Sequence, residues 1–337
     1  MYNSFMAYIT LNKKHFFNNL DIIANKTKTI DKIAVVLKDN AYGHGIVEMA
    51  TMAKEYGITK AVVRCDVEAK MIEDFFDYIL VLAEIPKTPS EKVRYTINDI
   101  KKIDKFPKDT KVELKVDSGM HRNGVSYEEL EEALKLIKEQ GLKLEGMFTH
   151  HRSADELTSE WFWQNENFAK AKEKVKELGY DLRFHSANSA STMRHSNIDE
   201  DMVRVGIAIY GCFESDAIDT KEFKPVLSLW AEKNSQRAVS KGERVGYGGI
   251  YTFSEDEVVS NYDFGYADGF HRLCSNNYTT PEGEKLIGRI SMDNASFLSQ
   301  KQEILVFDNA TEVARSAQTI SYEILTSLKA YIKREII

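Results

Sequence analysis

Apolar runs alternate with amphipathic stretches through the first two thirds of the chain. Continuous or alternating apolar runs predict strands at 32–38, 60–65, 78–82, 93–97, 111–117, 144–150, 182–188 and 203–210. Helical periodicity fills the gaps, at 47–56, 67–76, 127–139 and 160–178. Ser126-x-x-Glu129 has the form of a capping box at the head of one such helix. Gly141 and Gly179 stand where the last two helices should stop.

Eight strands in strict alternation with helices predict an α/β fold, a (β/α)8 TIM-type barrel. A doubly wound open sheet competes, and strand count alone does not separate the two. The polar residues favour the barrel: Lys38, Asp117, His150 and Asn188 all fall at the C-terminal ends of predicted strands, the face on which barrel sites are built. After about residue 222 the texture changes. Runs at 226–232, 248–253 and 285–290, separated by Gly- and Asn-containing turns, predict a mostly β C-terminal domain. The expected division is a barrel over 11–222 and a β-rich unit over 223–337. Residues 1–10 would add a strand to the second unit through the apolar segment 5–11.

Composition narrows the function classes. With 337 residues, 43% of them hydrophobic, the chain can bury a substantial core, and its formal charge of −7 is spread out rather than gathered into a basic face. That disfavours a nucleic-acid binder. The three cysteines, Cys65, Cys212 and Cys274, share no metal-type or redox-type spacing and read as thiols of a reducing compartment. The opening residues carry no continuous apolar stretch, so no signal peptide is expected, and no run approaches transmembrane length; a cytoplasmic enzyme with no membrane partner is the expectation.

Lys38 is the first candidate for chemistry. It closes the apolar run Ile33-Ala34-Val35-Val36-Leu37, so its amine emerges from a buried strand, where desolvation lowers the pKa and favours attack on a carbonyl. A lysine that merely snorkels to solvent at a strand end is the alternative. Gly43 and Gly45 then allow a tight turn before the next helix.

Lys38-x-Asn40-Ala41-Tyr42-Gly43-His44-Gly45 resembles the cofactor-lysine motif of the alanine racemases. Further blocks similar to that family follow in order along the chain. They are 115–124 (Lys-Val-Asp-Ser-Gly-Met-His-Arg-Asn-Gly), Phe148-Thr149-His150, His185-Ser186-Ala187-Asn188-Ser189-Ala190, 203–211, Val245-Gly246-Tyr247-Gly248, 265–269 and 288–293. Each alone could be turn chemistry; together they span Ile33 to about Leu325.

The resemblance implies pyridoxal 5'-phosphate on Lys38. It implies a phosphate site from Tyr42, Ser189, Gly206, Ile207 and Tyr322, with Asn188 nearby, and Arg204 on the ring nitrogen. An arginine there, always charged, would leave that nitrogen unprotonated and favour proton return over transamination. The residue types leave simpler roles open: a helix N-cap for Ser189, a packing glycine at Gly206, and a carboxylate salt bridge for Arg204.

Racemisation needs proton transfer on both faces of Cα. By resemblance Lys38 serves one face and Tyr247 the other, with His150 close by. A tyrosine ionises near ~10, so Tyr247's neighbours would have to lower that value. Arg122 would hold the substrate carboxylate, and Lys115 stands where relatives carry a carbamylated lysine; an ion pair of Lys115 with Glu113 or Asp117 is the plain alternative. Tyr247, Tyr266, Met292 and Asp293 fall in the predicted second domain, so the resemblance implies a homodimer with a shared site.

The function implied is interconversion of L- and D-alanine, supplying D-alanine for peptidoglycan. A broad-specificity racemase for serine or basic amino acids is the runner-up; a decarboxylase or a cofactor-handling protein fits less of the pattern. Asp39, His151-Arg152, His271 and a tail poor in arginine depart from the family.

Overall fold

The computed structural model describes residues 7–337, so the first two residues of the predicted opening strand, Phe5 and Met6, lie outside the described residues. β1 (Ala7–Leu11) leads into a helix, Lys13–Thr27, capped by the Asn12 side chain. Eight parallel strands follow: β2 (Ile33–Val36), β3 (Lys60–Val63), β4 (Tyr78–Val81), β5 (Val93–Ile97), β6 (Lys111–Lys115), β7 (Lys143–Phe148), β8 (Arg183–His185) and β9 (Val203–Val205). They pair in the order β8-β7-β6-β5-β4-β3-β2-β9. The seam between β8 and β9 is joined by backbone bonds from Asp201 to Phe184 and from Arg204 to Ala187, at 3.0 and 2.9 Å. This is the expected barrel rather than an open sheet. Its strands are mostly apolar on both faces because side chains fill the inside and helices cover the outside, with Glu113, Lys115, His185 and Arg204 among the buried polar exceptions.

Several helix ends behave as the sequence suggests. Ser126 N–H donates to Glu129 and Glu129 N–H donates to the Ser126 hydroxyl, a reciprocal capping box ahead of the helix Leu130–Glu139. Two boundaries differ. The run 203–210 is a strand only to Val205; Gly206 breaks it, and Ile207–Tyr210 is a helical turn. A fully buried apolar run carries no periodicity that separates the two states. The helix predicted at 67–76 is Asp66–Ile72.

The rest of the chain forms a second sheet. It contains β10 (Leu227–Val239), β13 (Glu257–Tyr262), β14 (Lys285–Ile287), β15 (Ala295–Leu298), β16 (Glu303–Phe307) and β17 (Lys333–Ile336). β11 (Arg244–Val245) and β12 (Tyr251–Thr252) form a separate hairpin. The predicted strand 248–253 is therefore mostly turn, because Gly248 sits at φ 72°. β1 joins this sheet, antiparallel to β10 and parallel to β17. The region is not all β: two helices, Ala310–Ala317 and Ser321–Ser327, separate β16 from β17. The second of them packs toward the turn after β2. No helix among the described residues is long and apolar enough to cross a membrane.

Candidate active site

The C-terminal ends of the barrel strands surround a cavity of about 770 Å³. Lys38, Tyr42, Lys115, Arg122, His150, Asn188, Ser189, Arg204, Gly206, Ile207 and Tyr322 all line it. β2 ends at Val36, so Lys38 stands two residues beyond the strand, half-buried, with Nζ 3.8 Å from an Asp39 carboxylate oxygen. Asp39 is also held by Arg64 at 3.2 Å.

The chain then takes an uncommon course. Asp39, Asn40, Ala41 and Tyr42 all have φ between 51 and 55°, a left-handed turn that costs L-residues roughly 1–2 kcal/mol each. Its surroundings hold it in place. Asn40 N–H donates to Glu68, and Asn40 Oδ1 accepts from Ile46 N–H. Arg334, from β17, donates Nε and Nη2 to the Gly43 carbonyl at 3.1 and 2.8 Å. Gly43 itself has no room for a side chain, since a Cβ would lie 1.9 Å from the Leu325 carbonyl oxygen. The tail is short of arginines, but the one at position 334 reaches this turn.

The turn brings Tyr42 against Tyr322, with ring centroids 5.7 Å apart. Neither hydroxyl has a hydrogen-bond partner among the described residues, and burial raises the pKa of both, that of Tyr322 to about 12. Gly206 stands beside them, where a Cβ would lie 2.7 Å from the Tyr42 hydroxyl oxygen. Ser189 is not the helix cap that its residue type allowed. Asn188 caps the helix Ser189–Arg194, accepting from Ser191 N–H, while the Ser189 hydroxyl accepts from Gly206 and Ala208 N–H at 3.1 and 3.3 Å.

Arg204 is buried and is not paired with a carboxylate. Nη1 donates to His185 Nδ1 and to the His185 carbonyl; Nη2 donates to the carbonyls of Thr149 and Ser186 at 2.6 and 3.2 Å. All four Nη hydrogens are thereby used, whereas the Nε–H has no acceptor among the described residues. Burial lowers the Arg204 pKa only to about 10, so it stays charged.

Lys115 makes neither of the two ion pairs considered for it. Glu113 binds elsewhere, and Asp117 Oδ1 accepts three backbone N–H groups, from Gly119, Met120 and His121. Burial, then Arg122 and Arg204, lowers the Lys115 pKa to about 8. Burial and the same cations hold His150 well below its ordinary value, hence neutral. Arg122 is exposed at the rim and has no ion-pair partner among the described residues.

Tyr247, Tyr266, Met292 and Asp293 do not line this cavity. They lie on neighbouring loops of the second unit. A Cβ on Gly248 would meet Arg289, and Tyr266 N–H donates to the Ser291 carbonyl. Tyr247 is 68% exposed.

The arrangement meets the parts of a pyridine-ring phosphate cofactor with distinct groups: an amine, a free arginine donor, and two unpartnered hydroxyls beside a glycine. Sequence reasoning missed Glu113 as more than a partner for Lys115, although a glutamate inside an apolar strand is itself a signal.

Residues 11–214 match the alanine racemase N-terminal domain and residues 226–336 the alanine racemase C-terminal domain. An alanine racemase of a Nitratiruptor species is 46% identical, covering 98% of this chain and 99% of that protein. One from Campylobacter jejuni subsp. jejuni is 41% identical over 98% of this chain and all of its own length. The solved structure of an alanine racemase from Clostridium difficile 630 superposes with TM-score 0.91 at 28% identity, covering 99% of this chain and 96% of that one. The chain belongs to the alanine racemase family.

Proposed function

We propose that this chain racemises alanine with pyridoxal phosphate held in the barrel mouth. The observation that carries the reading is the Arg204 guanidinium, anchored through all four Nη hydrogens with only Nε–H left over, in the same cavity as Lys38. Tyr42, Tyr322, Ser189, Gly206 and Ile207 would hold the phosphate, with Asn188 fixing the helix that carries Ser189. Arg204 would offer Nε–H to the ring nitrogen and, being charged, keep a proton off it. A homologous Bacillus anthracis structure, 29% identical with TM-score 0.89 and covering 98% of this chain, contains L-Ala-P, and a more distant Bartonella henselae racemase contains covalently bound pyridoxal phosphate.

When bound, the cofactor supplies a carbonyl for the substrate amine and a ring that accepts the electron pair left on Cα. The chain supplies the rest. Lys38 moves a proton at one face of Cα. Arg122, with its guanidinium unpaired at the rim, takes the carboxylate. A carbamate on Lys115 would give Arg122 an anionic neighbour; the lowered Lys115 pKa favours the neutral amine that such a modification needs. His150, neutral and close to Arg204, completes the wall.

Tyr247, the group expected at the second face, does not line this cavity in its own chain. Tyr247, with Tyr266, Met292 and Asp293 on adjoining loops, is an exposed group with no site of its own. A homodimer in which Tyr247 of the partner subunit enters this cavity supplies the missing proton donor, with Tyr266, Met292 and Asp293 shaping the substrate end.

The test is exchange in deuterated water. L-alanine should yield D-alanine carrying deuterium at Cα, with serine, lysine and arginine exchanging far more slowly. Exchange of the larger amino acids at comparable rates would select a broad-specificity racemase, and no exchange with any amino acid would overturn the reading.

A further inference from the structure

Glu113 is fully buried inside the barrel and takes no part in the chemistry above. It sits in one register row with Gly146 on β7 and Arg183 on β8. A Cβ on Gly146 would lie 2.8 Å from the Glu113 carboxyl, so the glycine makes the space that this carboxylate fills. Oε1 accepts from Tyr78 Oη and Arg183 Nη1, each at 2.7 Å, and Oε2 meets His185 Nε2 at 2.6 Å.

The other imidazole nitrogen, Nδ1, faces Arg204 Nη1. A guanidinium can only donate, so Nδ1 carries a lone pair and the ring proton is on Nε2, donated to Glu113. Phe148 stacks on His185 at 4.8 Å, the rings 9° from parallel, and the Arg204 guanidinium lies 4.9 Å from the centre of the same phenyl ring. Burial alone would raise the Glu113 pKa, but His185, Arg183 and Tyr78 outweigh it and hold it at about 2.

We infer that Glu113 is a positioning residue: it fixes His185 in the Nε2-protonated form, and His185 in turn fixes Arg204 with Nε–H free for the cofactor ring. This rests on the assignment of Arg204 to the ring nitrogen. The chemistry of the row predicts what Glu113→Gln does. Tyr78 and Arg183 keep the amide oxygen at the Oε1 position, so the amide NH2 falls opposite His185 Nε2. Two donors cannot face each other, so the ring proton loses its acceptor: kept on Nε2 it meets the amide, and moved to Nδ1 it meets Arg204, and either way the chain of contacts from residue 113 to Arg204 is broken.

The experiment is ¹⁵N-histidine NMR on the full chain, with and without pyridoxal phosphate, together with titration of cofactor affinity. The wild type should show His185 protonated on Nε2 alone. In Glu113→Gln that signature should invert or mix, and cofactor affinity should fall by about ten- to a hundredfold, the scale of outer partners that orient a ligand. Tyr78→Phe removes one bond to the same carboxylate but leaves the His185 contact, so it should lower stability and keep the wild-type His185 signature. An unchanged His185 signature in a folded Glu113→Gln protein overturns the inference, as does an equal change in Tyr78→Phe. If instead the signature inverts while Arg204→Met leaves cofactor affinity and absorbance unaltered, the hold of Glu113 on His185 stands and the assignment of Arg204 fails.

Discussion

A Cβ on Gly206 would stand 2.7 Å from the hydroxyl oxygen of Tyr42, so the glycine leaves that hydroxyl uncovered toward the cavity. The backbone at Gly206 has φ −114°, outside the left-handed range that favours glycine, and the atom that a Cβ would press on first is the Tyr42 hydroxyl oxygen. Gly206→Ala should bind pyridoxal phosphate at least ~10-fold more weakly, about 1.4 kcal/mol, in protein that circular dichroism shows to be folded. Fluorescence titration of cofactor-depleted protein measures this; wild-type affinity would argue against a phosphate between Gly206 and Tyr42.

Lys115 offers a test with a defined pH window. Its folded pKa is lowered to about 8, so between pH 8 and its ordinary value near ~10.4 the unfolded chain binds a proton that the folded chain does not. Stability from this group rises with pH across that window, and the full penalty applies below it. In carbonate-free buffer at pH 7, Lys115→Met should be more stable than wild type by roughly 1–3 kcal/mol, with the gain fading toward pH 10. Added bicarbonate should stabilise wild type and leave Lys115→Met unchanged. Denaturant titrations across pH measure both.

Arg334 ties β17 to the left-handed turn behind Lys38. Arg334→Met removes two charge-assisted bonds to the Gly43 carbonyl and should cost about 1.5–3 kcal/mol. Hydrogen exchange should show the loss concentrated at residues 39–43. Uniform loss of protection across the barrel would contradict this local role.

The proposed sharing of the site between two subunits predicts complementation. Lys38→Ala and Tyr247→Phe should each be inactive, and mixing them under conditions of subunit exchange should restore part of the activity, because each mixed dimer carries one intact cavity. Absence of recovery after exchange is demonstrated by mass spectrometry would refute a site built from two chains.

Much of this was legible in the sequence because barrel strands announce themselves as buried runs and their polar terminal residues mark one face. Lys38, His150 and Asn188 fell on that face from spacing alone. The left-handed run from Asp39 to Tyr42 was not legible, because its support comes from Glu68, Leu325 and Arg334, all distant in sequence. The helices Ala310–Ala317 and Ser321–Ser327 were missed in a region whose turns and apolar runs read as strands. Glu113 was seen only as a neighbour of Lys115, since the row that joins it to Gly146 and Arg183 exists only once the strands pair.

The central claim is that Lys38 carries the cofactor, and reductive trapping tests it most directly. Protein loaded with pyridoxal phosphate, reduced with borohydride and digested should yield one modified peptide, with the added mass on Lys38. Modification at any other lysine, or none in protein that racemises alanine, would contradict the account.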